Sequence, residues 1–243
     1  MSKATFLFLA IFLALHTPTI VKGQSPYETK GRTEGSIIVP GGIALGSSLL
    51  IGRKNMPLQP EALEVLDANK IWKMDRWVTR QYSESAGKTS DLLLFTSYAV
   101  PLTTLLASRS RKNFGQVGLF ALEGLLLNTA ATNLTKVLAK RIRPFVYNPE
   151  APLHLKLKKN ARYSFFSGHT SNVTTMYFLT ATMFQDFYPN SNFTKVVWPT
   201  AVIIPAVTGY LRVRAGKHFL SDVVTGYIVG AIFGILVPQL HKI

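Results

Sequence analysis

Six apolar runs, at 36–52, 92–108, 114–134, 168–184, 196–210 and 223–240, follow one another along most of this chain and restrict the folds open to it. Each approaches the roughly 20 mostly apolar residues that a helix needs to cross a bilayer. The run at 36–52 is short and interrupted by Pro40-Gly41-Gly42. Several runs contain Thr, Ser, Asn and Gly, which suit helices packed closely on each other better than helices bathed in lipid. A soluble bundle of buried helices is the competing architecture, and the succession of near-span-length runs argues against it. The expected fold is all-α: an integral-membrane helical bundle of five to six spans.

The chain divides by character into a leader at 1–23, an N-terminal segment at 24–90 and a bundle core at 91–243. Lys3, the apolar stretch 5–15 and Val21-Lys22-Gly23 before Gln24 read as a secretory signal, with an uncleaved leader helix as the alternative. Within 24–90, Pro57 and Pro60 precede a helix with Glu61 and Glu64 in its first turns, where a helix start favours negative charge. Leu63, Leu66, Ile71, Met74, Trp77 and Val78 then recur mainly at steps of three and four. That spacing predicts an amphipathic helix at the membrane surface, with Trp72 and Trp77 at headgroup level.

Charge narrows the partners. The net charge of +15 admits nucleic acid, anionic lipid or phosphorylated small molecules. Nucleic acid is excluded as an expected partner because the basic residues sit between apolar runs rather than on a soluble module. The chain contains no cysteine, so it has neither a disulfide frame nor a thiolate metal site.

Three short signatures then stand in order. Lys136 is followed seven residues later by Arg143, next to Pro144; Ser167-Gly168-His169 comes second; Arg212, His218 and Asp222 close the series. Lys136 and Arg143 read as two turns of one helix that Pro144 stops. Ser167-Gly168-His169 opens the next span, where unpaired backbone amides and the helix dipole favour an anion. Arg212 ends one span, and His218 and Asp222, four apart, open the last. Successive spans reverse direction, so all these groups are expected at one membrane face.

Their chemistry is that of phosphoryl transfer. A phosphate monoester needs cations around its non-bridging oxygens, a role for Lys136, Arg143 and Arg212. His218 is the expected nucleophile, with Asp222 holding its other ring nitrogen. His169 would protonate the leaving oxygen and then activate water, while Ser167 and the Gly168 amide bind transition-state oxygens. Lys140, Arg141, Arg214 and Lys217 read as interfacial anchors.

The three signatures resemble those of the type 2 phosphatidic acid phosphatase superfamily, over roughly residues 92–240. The resemblance implies the same residue roles and no metal or other cofactor. Two positions depart from the family pattern: Phe166 replaces the usual proline before Ser167, and Leu211 the usual serine before Arg212. Neither position supplies an indispensable charge. A vanadium-dependent haloperoxidase could use the same residues, but such relatives are soluble and larger. A non-catalytic lipid-phosphate binder would need the cations and no nucleophile.

Eight basic residues and a single acid, Glu150, lie between 136 and 162. This loop would concentrate anionic headgroups at the membrane surface, so the expected substrate is a lipid phosphate or diphosphate. The expected location is a bacterial inner (cell) membrane with the site facing the periplasm and Arg109, Arg111 and Lys112 in the cytoplasm. That orientation requires the 36–52 run to stop short of a full crossing, or the leader to remain attached.

Overall fold

A computed structural model describes residues 25–243. The leader at 1–23 lies outside the described residues. Six long helices build the body: α1 (Gly31–Lys54), α2 (Glu84–Ser97), α3 (Phe114–Ala139), α4 (Gly168–Phe187), α5 (Thr194–Arg214) and α6 (Leu220–Leu240). Among the described residues there is no strand, so the all-α expectation holds.

α1, α5 and α6, and α3 with the turn that follows it, are long and apolar enough to cross a membrane. Their outer faces expose large apolar side chains such as Ile43, Leu50, Leu122, Ile203 and Ile232. In water such a surface would be costly; in lipid it is the expected one. The chain is a membrane protein.

α4 is the exception that organises the rest. Fifteen of its twenty residues are buried, and it packs against α2, α3, α5 and α6. It is rich in threonine, yet Thr174, Thr175, Thr180 and Thr182 each donate to the carbonyl four residues back, at 2.7–2.9 Å. Self-satisfied hydroxyls let a polar sequence occupy an apolar interior. α6 approaches it closely through Gly226, Gly230 and Gly234. A Cβ on Gly230 would lie 2.3 Å from the Ser171 carbonyl oxygen, so only glycine allows this approach.

Four expectations need correction. The 36–52 run is part of α1, one continuous 24-residue helix with Pro40 inside it, and is not interrupted. At about 1.5 Å per residue such a helix is roughly 36 Å long, enough for a full crossing. The 92–108 run is not one helix: α2 ends at Ser97, and a tight 3-10 turn, Val100–Leu106, follows with Pro101 at its start. The surface helix in 24–90 is also absent. Pro60–Glu64 is helical, but Ala68–Lys70, Lys73–Arg76 and Trp77–Arg80 are separate single turns. Asp67 caps the first of them by accepting from the Asn69 amide. The buried Asp75 pins the second to the start of α6 through the Ser221 amide and hydroxyl. Finally, the 90/91 boundary falls inside α2 rather than between elements.

The segment 57–80 instead forms a cap over one end of the bundle. Leu58 packs with Phe145, Val146 and Ala161, and Val78 with Val213, Phe219 and Val223. Trp72 and Trp77 remain exposed on this cap.

Candidate active site

The three signatures meet at the capped end. α3 stops at Ala139 because Lys140 takes a left-handed conformation, φ 48°, and returns its amide to the Lys136 carbonyl at 3.1 Å. Arg143 therefore does not continue the helix of Lys136, contrary to the two-turn reading. It sits on an extended stretch whose backbone pairs with 161–164: Arg143 N–H donates to Ala161 O at 2.8 Å, and Ser164 N–H to Arg141 O at 2.9 Å. That pairing, rather than helical periodicity, seats its guanidinium.

Arg143 is almost wholly buried. Its Nε donates to Asn160 O at 2.9 Å, Nη2 to Asn160 Oδ1 at 3.0 Å and Nη1 to Lys217 O at 3.1 Å. The same Nη1 lies 3.4 Å from Nε2 of His218. His218 is fully buried. Its Nδ1 lies 2.7 Å from the Ser164 carbonyl oxygen. A carbonyl can only accept, so Nδ1 carries the proton and Nε2 keeps its lone pair. Burial, reinforced by Arg143, Arg212 and Lys136, holds the imidazole well below the usual histidine range. It is neutral near pH 7.

Asp222 does not hold His218 directly. Its Oδ2 is 3.7 Å from Nδ1 and instead accepts from the Ser164 hydroxyl and, at 2.8 Å, from the Phe219 amide. Oδ1 accepts from Arg141. Asp222 thus orients Ser164 and caps α6, and Ser164 presents its carbonyl to the imidazole. Arg141 is no interfacial anchor: it bridges the buried carboxylates of Asp75 and Asp222 and stacks 4.3 Å over the Phe219 ring. Lys217 is not a simple anchor either, since its ammonium lies 4.8 Å over the Phe145 ring at the cavity wall.

Ser167-Gly168-His169 opens α4 as anticipated. The Ser167 hydroxyl is the N-cap, accepting from the Thr170 amide at 3.4 Å and pairing with Thr170 Oγ1 at 2.9 Å. Lys136 Nζ reaches to within 3.0 Å of where a Gly168 Cβ would stand. The first two signatures therefore touch, and any larger residue at 168 would displace the ammonium. His169 Nε2 pairs with Asp91 Oδ1 at 2.7 Å, and the same oxygen accepts from Arg212 Nη1 at 3.1 Å. Arg212 Nη1 also donates to Ser90 Oγ at 3.0 Å.

Arg143, His169, Arg212, Lys217 and Asp91 line one cavity of about 290 Å³. The charge arrangement is uneven. Arg141 and Arg212 have carboxylate partners, whereas Lys136 and Arg143 have none within 4 Å among the described residues. Arg212 Nε is buried without a hydrogen-bond partner among those residues. Two uncompensated cations and an unused donor match a doubly charged oxyanion.

Sequence reasoning missed Asp91, Ser164, Asp75 and Asn160. Asp91 carried a signal, being a lone acid at the head of an apolar run. Ser164 and Asn160 carried none, because their contribution is largely a backbone or amide oxygen delivered by loop geometry.

Comparison with known proteins finds relatives of this chain. The chain is 27% identical over 128 residues to a lipid A 4'-phosphatase from Porphyromonas gingivalis, covering 51% of this chain and 50% of that protein. It is 27% identical over 148 residues to an undecaprenyl-diphosphatase from Sulfolobus acidocaldarius, covering 59% and 63%. The undecaprenyl-diphosphatase BcrC of Bacillus subtilis is 27% identical over 155 residues, covering 60% and 72%. The chain thus spans between half and two thirds of the length of the first two. A crystal structure of a transmembrane PAP2-type phosphatidylglycerolphosphate phosphatase from Bacillus subtilis aligns over 97% of this chain and 93% of its own, with 22% identity and a TM-score of 0.43. A family model, the PAP2 superfamily, matches residues 117–242, more than half of the chain and every site residue described from α3 onward, which makes this protein a member of that superfamily.

Proposed function

We propose that this protein is a membrane phosphatase that hydrolyses a phosphomonoester or diphosphate of a lipid through a phosphohistidine. One observation carries the reading. His218 is held with Nδ1 bonded to Ser164 O and Nε2 beside Arg143, so its lone pair faces the ring of cations. A protein that merely bound phosphate would have no use for an imidazole locked in that tautomer.

In the first step Nε2 forms a bond to phosphorus while the ester P–O bond breaks. The leaving oxygen takes a proton from His169, whose ring is aimed by Asp91. In the second step His169 removes a proton from water, the water oxygen bonds phosphorus, and the P–N bond breaks to release phosphate. Lys136, Arg143 and Arg212 hold the non-bridging oxygens throughout, with the Gly168 amide at the start of α4 as a further donor.

The cavity opens at the end of a bundle whose outer faces suit lipid, and exposed Lys158 stands on its rim. Both features favour an anionic substrate presented from the bilayer. The curated relatives act on lipid A, as a 4'-phosphatase, and on undecaprenyl diphosphate. Phosphatidate, phosphatidylglycerol phosphate, a polyprenyl diphosphate and a lipid A phosphate are accordingly the substrates to compare. The site faces the periplasm across a bacterial inner membrane in this reading. With α1 crossing fully, its first turn then shares the cytoplasmic face with Arg109, Arg111 and Lys112.

The test is phosphate release by purified protein on those four lipids and on water-soluble esters, with His218→Ala as control. Turnover of at least one lipid, abolished in the variant, is expected. Release from water-soluble esters alone would refute the lipid assignment, and undiminished release by His218→Ala would refute the nucleophile.

A further inference from the structure

A second polar cluster lies at the opposite end of the bundle. Glu34 comes from the first turn of α1, Glu123 from the first half of α3, and His241 from the residue that ends α6. Their ligand atoms all fall within 4.8 Å of one another. His241 Nε2 is 3.4 Å from Glu34 Oε1 and 3.5 Å from Glu123 Oε2.

The cluster is unsatisfied, and two of its three side chains are buried, with Glu34 partly exposed. The side chains of His241 and Glu123 are 0% and 1% exposed. Both oxygens of each carboxylate and Nε2 of the histidine lack a hydrogen-bond partner among the described residues. Nor does either carboxylate pair with a lysine or arginine among those residues. Carboxylates withdrawn from water without a cation are unfavourable, and native proteins relieve this by pairing or by metal coordination.

The histidine is arranged as a ligand. Its Nδ1 lies 2.8 Å from the Val237 carbonyl oxygen, which places the proton there and leaves the Nε2 lone pair directed at the two carboxylates. Its ring packs 4.4 Å from that of Phe120, fixing the plane. Bonds of about 2.0–2.1 Å at tetrahedral angles place ligand atoms about 3.3–3.4 Å apart, close to both distances from Nε2.

We propose that Glu34, Glu123 and His241 form a structural site for a divalent transition-metal ion that ties α1 and the C-terminal end of α6 to α3. Two carboxylates and a neutral imidazole supply the charge and the mixed oxygen–nitrogen donors that Zn²⁺ and Mn²⁺ accept. The neighbouring backbone has the same purpose, since Glu28 N–H donates to His241 O at 2.8 Å. Glu123 precedes Lys136 by thirteen residues on α3, about 20 Å along the axis. The ion would hold the fold and take no part in phosphate chemistry.

Untagged protein in detergent, stripped with EDTA and desalted, provides the test. Zn²⁺ or Mn²⁺ is added back, and bound metal and the unfolding midpoint are measured. One ion per chain is expected, with a rise in Tm of roughly 5 °C or more at hundredfold excess over Kd. Glu34→Gln and His241→Ala should lose both responses, while His154→Ala, at an exposed histidine, should keep them. Phosphate release well below both midpoints should not change on chelation. The site is overturned if wild-type protein takes up neither ion, or if uptake is undiminished in Glu34→Gln and His241→Ala. Loss of phosphate release on chelation, with the fold intact, would overturn the structural role. The wild-type strip-and-restore arm decides the matter even where a variant fails to fold.

Discussion

His218 illustrates how much a single residue depends on its surroundings. Its identity suggests a nucleophile, but its readiness comes from Ser164 O on one nitrogen and Arg143 beside the other. Because burial and the neighbouring cations depress its protonation, the unprotonated, reactive form persists as pH falls below the ordinary histidine value of about 6.5. The acid limb of kcat/KM, which reports the free enzyme, should therefore lie below pH 6.5; a limb at or above that value would contradict the geometry. Replacing His218 by Ala should lower kcat by about 10³-fold or more while substrate binding survives. Asp91→Asn removes the charge that aims His169 and engages Arg212. A loss of roughly 10–100-fold in kcat, with a displaced pH profile and little change in KM, is expected if it positions His169. A change in KM alone would place Asp91 in binding instead.

At the scale of elements, the site is assembled from helix ends and from the loops that join them. Arg141 bridges Asp75 of the cap to Asp222 of α6. Arg141→Ala leaves both carboxylates buried and unpaired, at a cost of about 3–5 kcal/mol. Thermal unfolding should show the loss, and Asp75→Asn in the same chain should recover part of it. The α4–α6 contact is equally demanding. Gly230→Ala would set a methyl group against the Ser171 carbonyl, costing roughly 1–3 kcal/mol and separating the helix that carries His169 from the one that follows His218. A lowered unfolding midpoint together with reduced turnover would confirm that this spacing is required. Helix ends at Ala139 and Gly168 were legible beforehand from Pro144 and the Ser-Gly pair only to within a few residues. The left-handed Lys140 that stops α3 early was not, since lysine has no preference for that conformation.

For the whole molecule, the absence of cysteine makes sidedness directly measurable. A single cysteine replacing Lys158, on the rim of the site, should react with a membrane-impermeant maleimide in intact cells, and one replacing Lys112 should react only after lysis; the reverse pattern would place the site in the cytoplasm. The apolar runs, the charge balance and the order of three signatures were enough to anticipate a helical membrane bundle with its polar groups gathered at one face, because hydrophobic length and chain reversal are properties of local sequence. In sequence the cap at 57–80 reads as one helix, since a three- and four-residue apolar rhythm does not reveal single turns capped by Asp67 and tied down by Asp75. Which atoms share the cavity, that Ser164 stands between Asp222 and His218, and that Glu34, Glu123 and His241 meet at the far end depended on packing between segments distant along the chain. A backbone carbonyl or a lone buried acid leaves no pattern in sequence; it gains meaning only when another helix arrives beside it.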